Sequence, residues 1–110
     1  MLERFGYRPD TDNPGWLLRP QSNAGRFLDV YGPMRVRAES PTLTRLQLTP
    51  QAAHLNVMDT VHGGFLLAVI DHAFFVGPAA QGRERIEGGT TIDASPQFLA
   101  PVVPGNRSTC

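Results

Sequence analysis

Lysine is absent from this sequence of 110 residues, and cysteine occurs once, as the last residue. The single thiol of Cys110 excludes a disulfide framework and a metal site built from several thiolates, and it fits a reducing compartment. Neither sign of charge is in excess, because ten basic side chains, all of them Arg, are balanced by ten acidic ones. This balance argues against a polyanionic partner, so we expect no binding to nucleic acid.

Long hydrophobic segments are also missing. The N-terminus, Met1 to Gly6, lacks the basic stretch followed by a long apolar run that is typical of a secretory signal. The longest apolar run, Phe65 to Ile70, is shorter than the roughly 20 residues that cross a bilayer. We therefore expect a cytoplasmic protein that does not bind a membrane. Its small size favours association of subunits, because a short chain buries little of its own surface.

The residues that are present predict strands in the first half of the chain. Within residues 1–33, the stretch from Tyr7 to Gly32 is rich in Pro, Gly, Asp and Asn and is interrupted by Trp16-Leu17-Leu18 and by Phe27 to Tyr31, which predicts a loop and then a short helix or turn. Apolar and charged residues alternate between Met34 and Thr49, which predicts two half-buried strands joined by a turn. Residues 51–61 show no period and predict a structured loop.

A hydrophobic helix follows this loop. Gly64 to Val76 is apolar at almost every position, which favours a helix that is buried on all sides and that ends or kinks at Gly77-Pro78. Thr90 to Leu99 alternates again and predicts a third strand, whereas residues 106–110 carry no pattern. The order of these elements predicts an α+β fold, with an antiparallel sheet wrapped around a central helix of about Gly63 to Val76.

Three features of this helix could carry chemistry. Asp71 is a carboxylate within an apolar helix, and it could act as a general base or lie on an exposed stripe. Gly63 and Gly64 begin the helix, where free N–H groups and the helix dipole can bind an oxyanion, although a Gly pair also makes a plain turn. His62 could be a ligand or a base, but a ring that hydrogen-bonds to loop backbone is the simpler interpretation.

The spacing of these residues divides the candidate site between two chains. Asp71 follows Gly63 by eight residues, and this corresponds to roughly 12 Å along a helix at about 1.5 Å per residue. One carbonyl and its attacking water cannot contact both groups at that separation. If both belong to one site, a second copy must supply one of them, and a two-fold pair would form two equivalent sites.

The helix and the loop before it resemble a known family. The segment Asn56-Val57-Met58-Asp59-Thr60-Val61-His62-Gly63-Gly64, followed by Asp71 nine residues after His62, resembles the signature of hotdog-fold acyl-CoA thioesterases of the PaaI-like branch. Phe98-Leu99-Ala100-Pro101 and Gly105 resemble a later stretch of that family. The resemblance implies a hotdog domain at residues 34–105, flanked by the N-terminal segment and the tail 106–110. Members of the family continue with further strands, so the domain is expected to lack the usual last strands.

The resemblance also implies catalytic roles. The backbone N–H of Gly63 would bind the thioester oxygen, and Asn56 would help to order the site. Asp71 of the facing subunit would activate or align water. Thr91, which lies ten residues before the proline of the later stretch, would assist that water.

The same resemblance implies how substrate binds. His62 is mainly structural in such proteins, and together with Gly64 it would lie against the substrate. No metal and no cofactor are implied, and the assembly would be a homodimer or a dimer of dimers. The leading hypothesis is hydrolysis of a small acyl- or aroyl-CoA thioester, with the acyl preference open.

Two further hypotheses come from other functional classes. The first is a non-catalytic acyl-CoA binding or regulatory module, because a fold does not fix a function. The second is a hotdog dehydratase or hydratase, although those enzymes resemble a different set of motifs.

Overall fold

An antiparallel sheet packs against one long helix in the computed structural model, which describes residues 2–82 and the backbone of residues 108–109. The strands, in their order across the sheet, are β1 (Arg8–Pro9), β2 (Leu17–Arg19), β3 (Met34–Ser40), β4 (Leu43–Leu48) and β5 (Ser108–Thr109). The helices are α1 (Gly63–Ala80) and the 3-10 helices η1 (Leu2–Phe5), η2 (Phe27–Tyr31) and η3 (Ala52–His54). The predicted α+β class is confirmed, and the arrangement is compatible with a hotdog fold. Three features named from the sequence lie outside the described residues: the third strand at Thr90 to Leu99, the stretch from Phe98 to Pro101, and Gly105.

The β3–β4 hairpin follows the two-residue period of its sequence. Met34 pairs with Leu48 and Val36 with Leu46, and all four side chains are buried on the face that meets α1. The alternating positions place Arg side chains on the other face. A side-chain period of two therefore separates a core face from a solvent face, as the sequence predicts.

The core lies between the sheet and α1. Its buried members come from both layers and from the N-terminal segment: Leu2, Tyr7, Tyr31, Met34, Val36, Leu46, Leu48, Val61, Phe65, Val69 and Val76. Met34 and Val36 are fully buried, so each contributes roughly 1.5 to 3 kcal/mol of hydrophobic stabilisation. This core fixes α1 against the sheet and so fixes the position of the residues at the start of the helix.

The N-terminal segment joins the same sheet. It contributes η2 and the strands β1 and β2, and each of these strands is too short to show a period in the sequence. Asp10 anchors β1 through an ion pair with Arg35 at 2.7 Å, and this pairing lowers the pKa of Asp10 to about 2. Arg19 is buried, and its Nε donates to the carbonyl of Phe5 at 2.8 Å. Residues before β3 therefore form part of the fold.

Helix α1 differs from the sequence expectation in two ways. It continues past Gly77-Pro78 to Ala80, because a proline near a C-terminus removes few helical hydrogen bonds. The side chain of Gln81 then anchors the helix end to the backbone carbonyls of Ser40 and Leu43. Burial on all sides is wrong: 22% of the helix is buried, and Phe74 is 56% exposed.

Candidate active site

The ring of His62 caps the start of α1. Its Nδ1 accepts the backbone N–H of Gly64 at 2.8 Å, and its carbonyl oxygen accepts the N–H groups of Phe65 and Leu66 at 3.0 and 3.2 Å. The bond of Leu66 is the first one of the helical pattern. The N–H of His62 donates to the carbonyl of His54 at 2.8 Å, so three of the four N–H groups that a helix N-terminus leaves open, those of His62, Gly64 and Phe65, are satisfied. Within residues 2–82, the N–H of Gly63 has no acceptor, and this residue is half-buried. The first turn therefore offers one backbone donor, at the glycine to which the resemblance assigns the oxyanion.

Asn56 orders the loop that leads into this cap. Its Oδ1 accepts the N–H groups of Met58 and Thr60 at 2.9 and 3.2 Å, and its Nδ2 donates to Thr60 Oγ1 at 2.8 Å. The two residues that flank the loop, Leu55 and Val61, form an antiparallel bridge. Asn56 thus stabilises the turn through its own side chain, which is the local hydrogen bonding that asparagine favours in turns.

His54 is a second histidine near the helix start, and no pattern in the sequence singles it out. Its Nδ1 accepts the N–H of Gln51 at 2.9 Å, and its Nε2 lies 2.6 Å from the carbonyl oxygen of Val30. Because Nδ1 accepts a backbone N–H, Nε2 is the ring nitrogen that donates to the Val30 carbonyl. The ring stacks on Phe65 with centroids 3.7 Å apart, and it is 2% exposed. His54 therefore joins the loop, η2 and α1 in one packed unit.

An apolar cleft of about 310 Å³ opens beside the N-terminus of α1. Its lining comes from η2, the loop and the first turns of the helix: Phe27, Val30, Ala53, His54, Leu55, His62, Gly64, Phe65 and Ala68. A cleft of this size and lining is typical of small-molecule sites, in which a few polar groups meet an apolar pocket. Gly64 lines this cleft and directly follows Gly63, so the backbone donor of Gly63 lies next to the lining.

Asp71 lies two turns further along the same helix. It is spaced from Gly64 and Ala68 by seven and three residues, so the three residues follow one stripe of α1. Asp71 is half-buried. Burial of Tyr31 raises the pKa of its hydroxyl to about 12, and the negative charge of Asp71 acts in the same direction. Eight residues of continuous helix separate Asp71 from Gly63, or roughly 12 Å.

A partly buried polar pair lies beside Asp71. Tyr7 Oη and His72 Nε2 are 3.1 Å apart, and their rings stack with centroids at 6.4 Å. Burial, and then the charge of Arg19, lower the pKa of His72 to about 4, although Asp71 acts in the opposite direction. The ring is therefore neutral near pH 7, and it can accept the hydrogen of the Tyr7 hydroxyl.

The structure gathers four of the six predicted site residues at one end of α1: Asn56, His62, Gly63 and Gly64. Asp71 of the same chain is separated from them, and Thr91 lies outside the described residues. No group of three or more His, Cys, Asp or Glu side chains that could hold a metal occurs in the described part of the chain. The assignment of these residues to catalysis stays a prediction.

Comparison with known proteins gives one partial similarity. The chain is 40% identical over 57 residues to a Deinococcus radiodurans protein named "Putative esterase". The match covers 52% of this chain and 38% of that relative, so the chain spans well under half of the relative's length. Neither the protein-family models nor the solved structures gave a match.

Proposed function

We propose that this protein hydrolyses a thioester of CoA with a small acyl or aroyl group, releasing the free acid and CoA. The observation that carries the proposal is the half-buried N–H of Gly63 at the N-terminus of an 18-residue helix, beside an apolar cleft. Such a donor, reinforced by the helix dipole, stabilises the negative oxygen that forms when a carbonyl is attacked.

The similarity to a protein named as an esterase supports a hydrolase-type activity for this chain. Thioester specificity rests on the sequence resemblance and on the nature of the cleft. An apolar lining suits the acyl part, whereas His62 and Gly64, which are exposed at the helix start, would lie against the polar thiol part.

The reaction follows from these groups. The thioester oxygen accepts the N–H of Gly63, and water attacks the carbonyl carbon while Asp71 of a second copy accepts a proton from that water. The tetrahedral intermediate then collapses, the C–S bond breaks, and the CoA thiolate leaves and takes up a proton. His62 acts indirectly, because its ring fixes the direction of the first helical turn.

If Gly63 and Asp71 act on one carbonyl, the geometry of α1 supports a site that is shared with a second copy. Roughly 12 Å of helix separates the Gly63 donor from Asp71 of the same chain, which exceeds the reach of one carbonyl and its water. A two-fold pair with two α1 helices side by side would bring each donor to the partner's carboxylate.

Replacing Gly63 with proline tests the donor without breaking the helix. Gly63 is the first helical residue, where proline removes an N–H that makes no helical bond. His62, with φ −63° and ψ 133°, already has the conformation that a following proline requires. We expect Gly63→Pro to lower kcat by about 10²- to 10³-fold relative to Gly63→Ala, which keeps the N–H. Equal rates in the two variants would eliminate the oxyanion role.

Mixing two inactive variants tests the shared site. Asp71→Asn should reduce turnover by orders of magnitude while the fold is retained. If Asp71→Asn and Gly63→Pro chains are unfolded, mixed and refolded at random, half of the dimers contain one chain of each kind. In each of these mixed dimers, one of the two sites combines an intact Gly63 with an intact Asp71. About a quarter of wild-type activity should return. No recovery, despite mixed dimers, would refute a site shared between Gly63 of one copy and Asp71 of the other. Acyl-CoA binding without any thiol release by the wild type would favour the non-catalytic module.

A further inference from the structure

The apolar cleft beside α1 has one wall that comes from outside the segment of family resemblance. Phe27 and Val30 belong to η2, whereas the resemblance begins near residue 35. Side chains three residues apart in a 3-10 helix lie on the same edge, so Phe27 and Val30 face the cleft together. From this geometry we infer that η2 forms the acyl-binding wall and that Phe27 selects compact aromatic acyl groups. The inference rests on the proposed thioesterase function.

The backbone of η2 is held rigidly in place. Its Val30 carbonyl accepts from His54 Nε2 at 2.6 Å, and the Tyr31 hydroxyl donates to the carbonyl of Ala68 in α1 at 2.7 Å. The carboxylate of Asp29 accepts backbone N–H groups of the preceding turn, including that of Gly25 at 2.8 Å. A wall fixed to both the loop and the helix keeps its shape when a ligand enters.

The lining favours an apolar ligand. Both ring nitrogens of His54 are already used within the protein, and Nδ1 of His62 is used by the helix cap. Most of the remaining lining is carbon surface, with Leu55, Phe65 and Ala68 among its members. An acyl group with several polar atoms would give up hydrogen bonds to water against this lining, where few protein groups can replace them.

The volume fits one ring. A cavity of about 150 Å³ lined by aliphatic and aromatic residues binds benzene, so about 310 Å³ holds a ring together with the carbonyl that joins it to sulfur.

Phe27 supplies a stacking surface for that ring. Its side chain is 64% exposed, although it contacts Tyr31 edge to face with centroids 5.7 Å apart. Tyr31 in turn packs on Phe65 at 5.9 Å, so the exposed ring is the outermost member of an aromatic cluster. A ligand ring that stacks on Phe27 would extend this cluster, and an aromatic pair adds to affinity beyond the area it buries.

The test compares benzoyl-CoA with hexanoyl-CoA, whose acyl groups have similar numbers of carbon atoms but differ in shape. For Phe27→Ala we expect KM for benzoyl-CoA to rise about 10-fold, and the ratio of kcat/KM for benzoyl-CoA to that for hexanoyl-CoA to fall by about the same factor. Val30→Phe should fill the cleft and therefore also lower kcat/KM for benzoyl-CoA. Val57→Ala is the matched control, because Val57 is fully exposed and outside the cleft, and its ratio should equal that of the wild type.

Binding measurements separate this inference from the proposed hydrolysis. A thioether analogue of benzoyl-CoA, which cannot be hydrolysed, should bind the wild type about 10-fold more tightly than Phe27→Ala in calorimetry. Hydrolysis with a benzoyl-to-hexanoyl ratio unchanged in Phe27→Ala would overturn the role of Phe27 and leave the thioesterase proposal intact. Weakened analogue binding in Phe27→Ala, in a protein that releases no thiol, would support the acyl wall while it removes the proposed hydrolysis.

Discussion

Acidification should destabilise this protein through His72, whose ring lies in the middle of α1. The ring is partly buried, its Nε2 is 3.1 Å from the Tyr7 hydroxyl, and the charges of Arg19 and Asp71 act on it. Burial, followed by the Arg19 charge, lowers its pKa from 6.5 to about 4. A protonated ring would lose the lone pair that accepts from Tyr7, and it would bring a second positive charge towards Arg19.

The sign of the effect follows from proton linkage. The unfolded chain takes up a proton near pH 6.5, whereas the folded chain takes it up only near pH 4, so acid favours the unfolded state. The stabilising contribution of neutral His72 is therefore complete above pH 6.5 and is lost as the pH falls towards 4. Each pH unit in this window is worth roughly 1.4 kcal/mol, so the free energy of unfolding should fall by about 3 kcal/mol.

Urea denaturation at about pH 7.0, 5.5 and 4.5 measures this loss directly. His72→Gln keeps an acceptor for Tyr7 but does not titrate, and all other groups of the two proteins titrate alike. The wild type should lose about 2 to 3 kcal/mol more than His72→Gln between the extremes of this range. If the free energy of unfolding depended on pH equally in the two proteins, the reasoning would be refuted, because the folded and unfolded states would then bind the His72 proton equally.

Three further predictions concern stability and are read from the midpoints of thermal or urea unfolding. A Cβ at Gly64 would lie 3.0 Å from Nδ1 of His62, so Gly64→Ala should displace the His62 cap and lower the free energy of unfolding by about 1 kcal/mol. Gly77→Ala is the control, because its Cβ would meet open space, and it should stabilise the protein by up to about 1 kcal/mol. Equal effects of the two substitutions would contradict the cap. Tyr31→Phe removes a 2.7 Å hydrogen bond to a helix carbonyl and should cost about 1 kcal/mol, and an unchanged midpoint would contradict that bond's contribution. Met34→Ala opens a cavity in the centre of the core and should cost about 2 to 5 kcal/mol, while a loss below about 1 kcal/mol would contradict close packing there.

The strands that the sequence predicted are those whose two faces meet different surroundings. In β3 and β4, core packing on one face and water on the other produce an alternation that is visible without a structure. The two strands of the N-terminal segment have two and three residues, so no period can develop. Their pairing depends on long-range contacts such as that of Asp10 with Arg35.

The candidate site was predictable only where its residues are close in sequence. The helix cap of His62 and the turn of Asn56 are local hydrogen-bonded motifs, and both lie within nine residues of the helix start. Phe27 lies 37 residues before Gly64, and its place in the cleft results from the docking of η2 on α1. An isolated aromatic residue in a loop-like segment gives no signal of such docking.

The amino-acid composition of α1 indicates both what surrounds the helix and how the proposed site could be completed. The helix has 18 residues and a mean hydropathy of 1.5, which by length and composition alone would let it cross a membrane, and core helices meet the same criterion. Asp71 and His72 lie at its middle, where a bilayer would penalise a charge, and Tyr7 and Tyr31 bind the helix to the N-terminal segment. These contacts favour a helix packed within protein. If α1 of a second copy covers exposed side chains such as Phe74, the same contact can bring Asp71 to the proposed oxyanion donor of the other copy. Association of two copies would then bury the apolar surface of the helix and complete the proposed site at the same time.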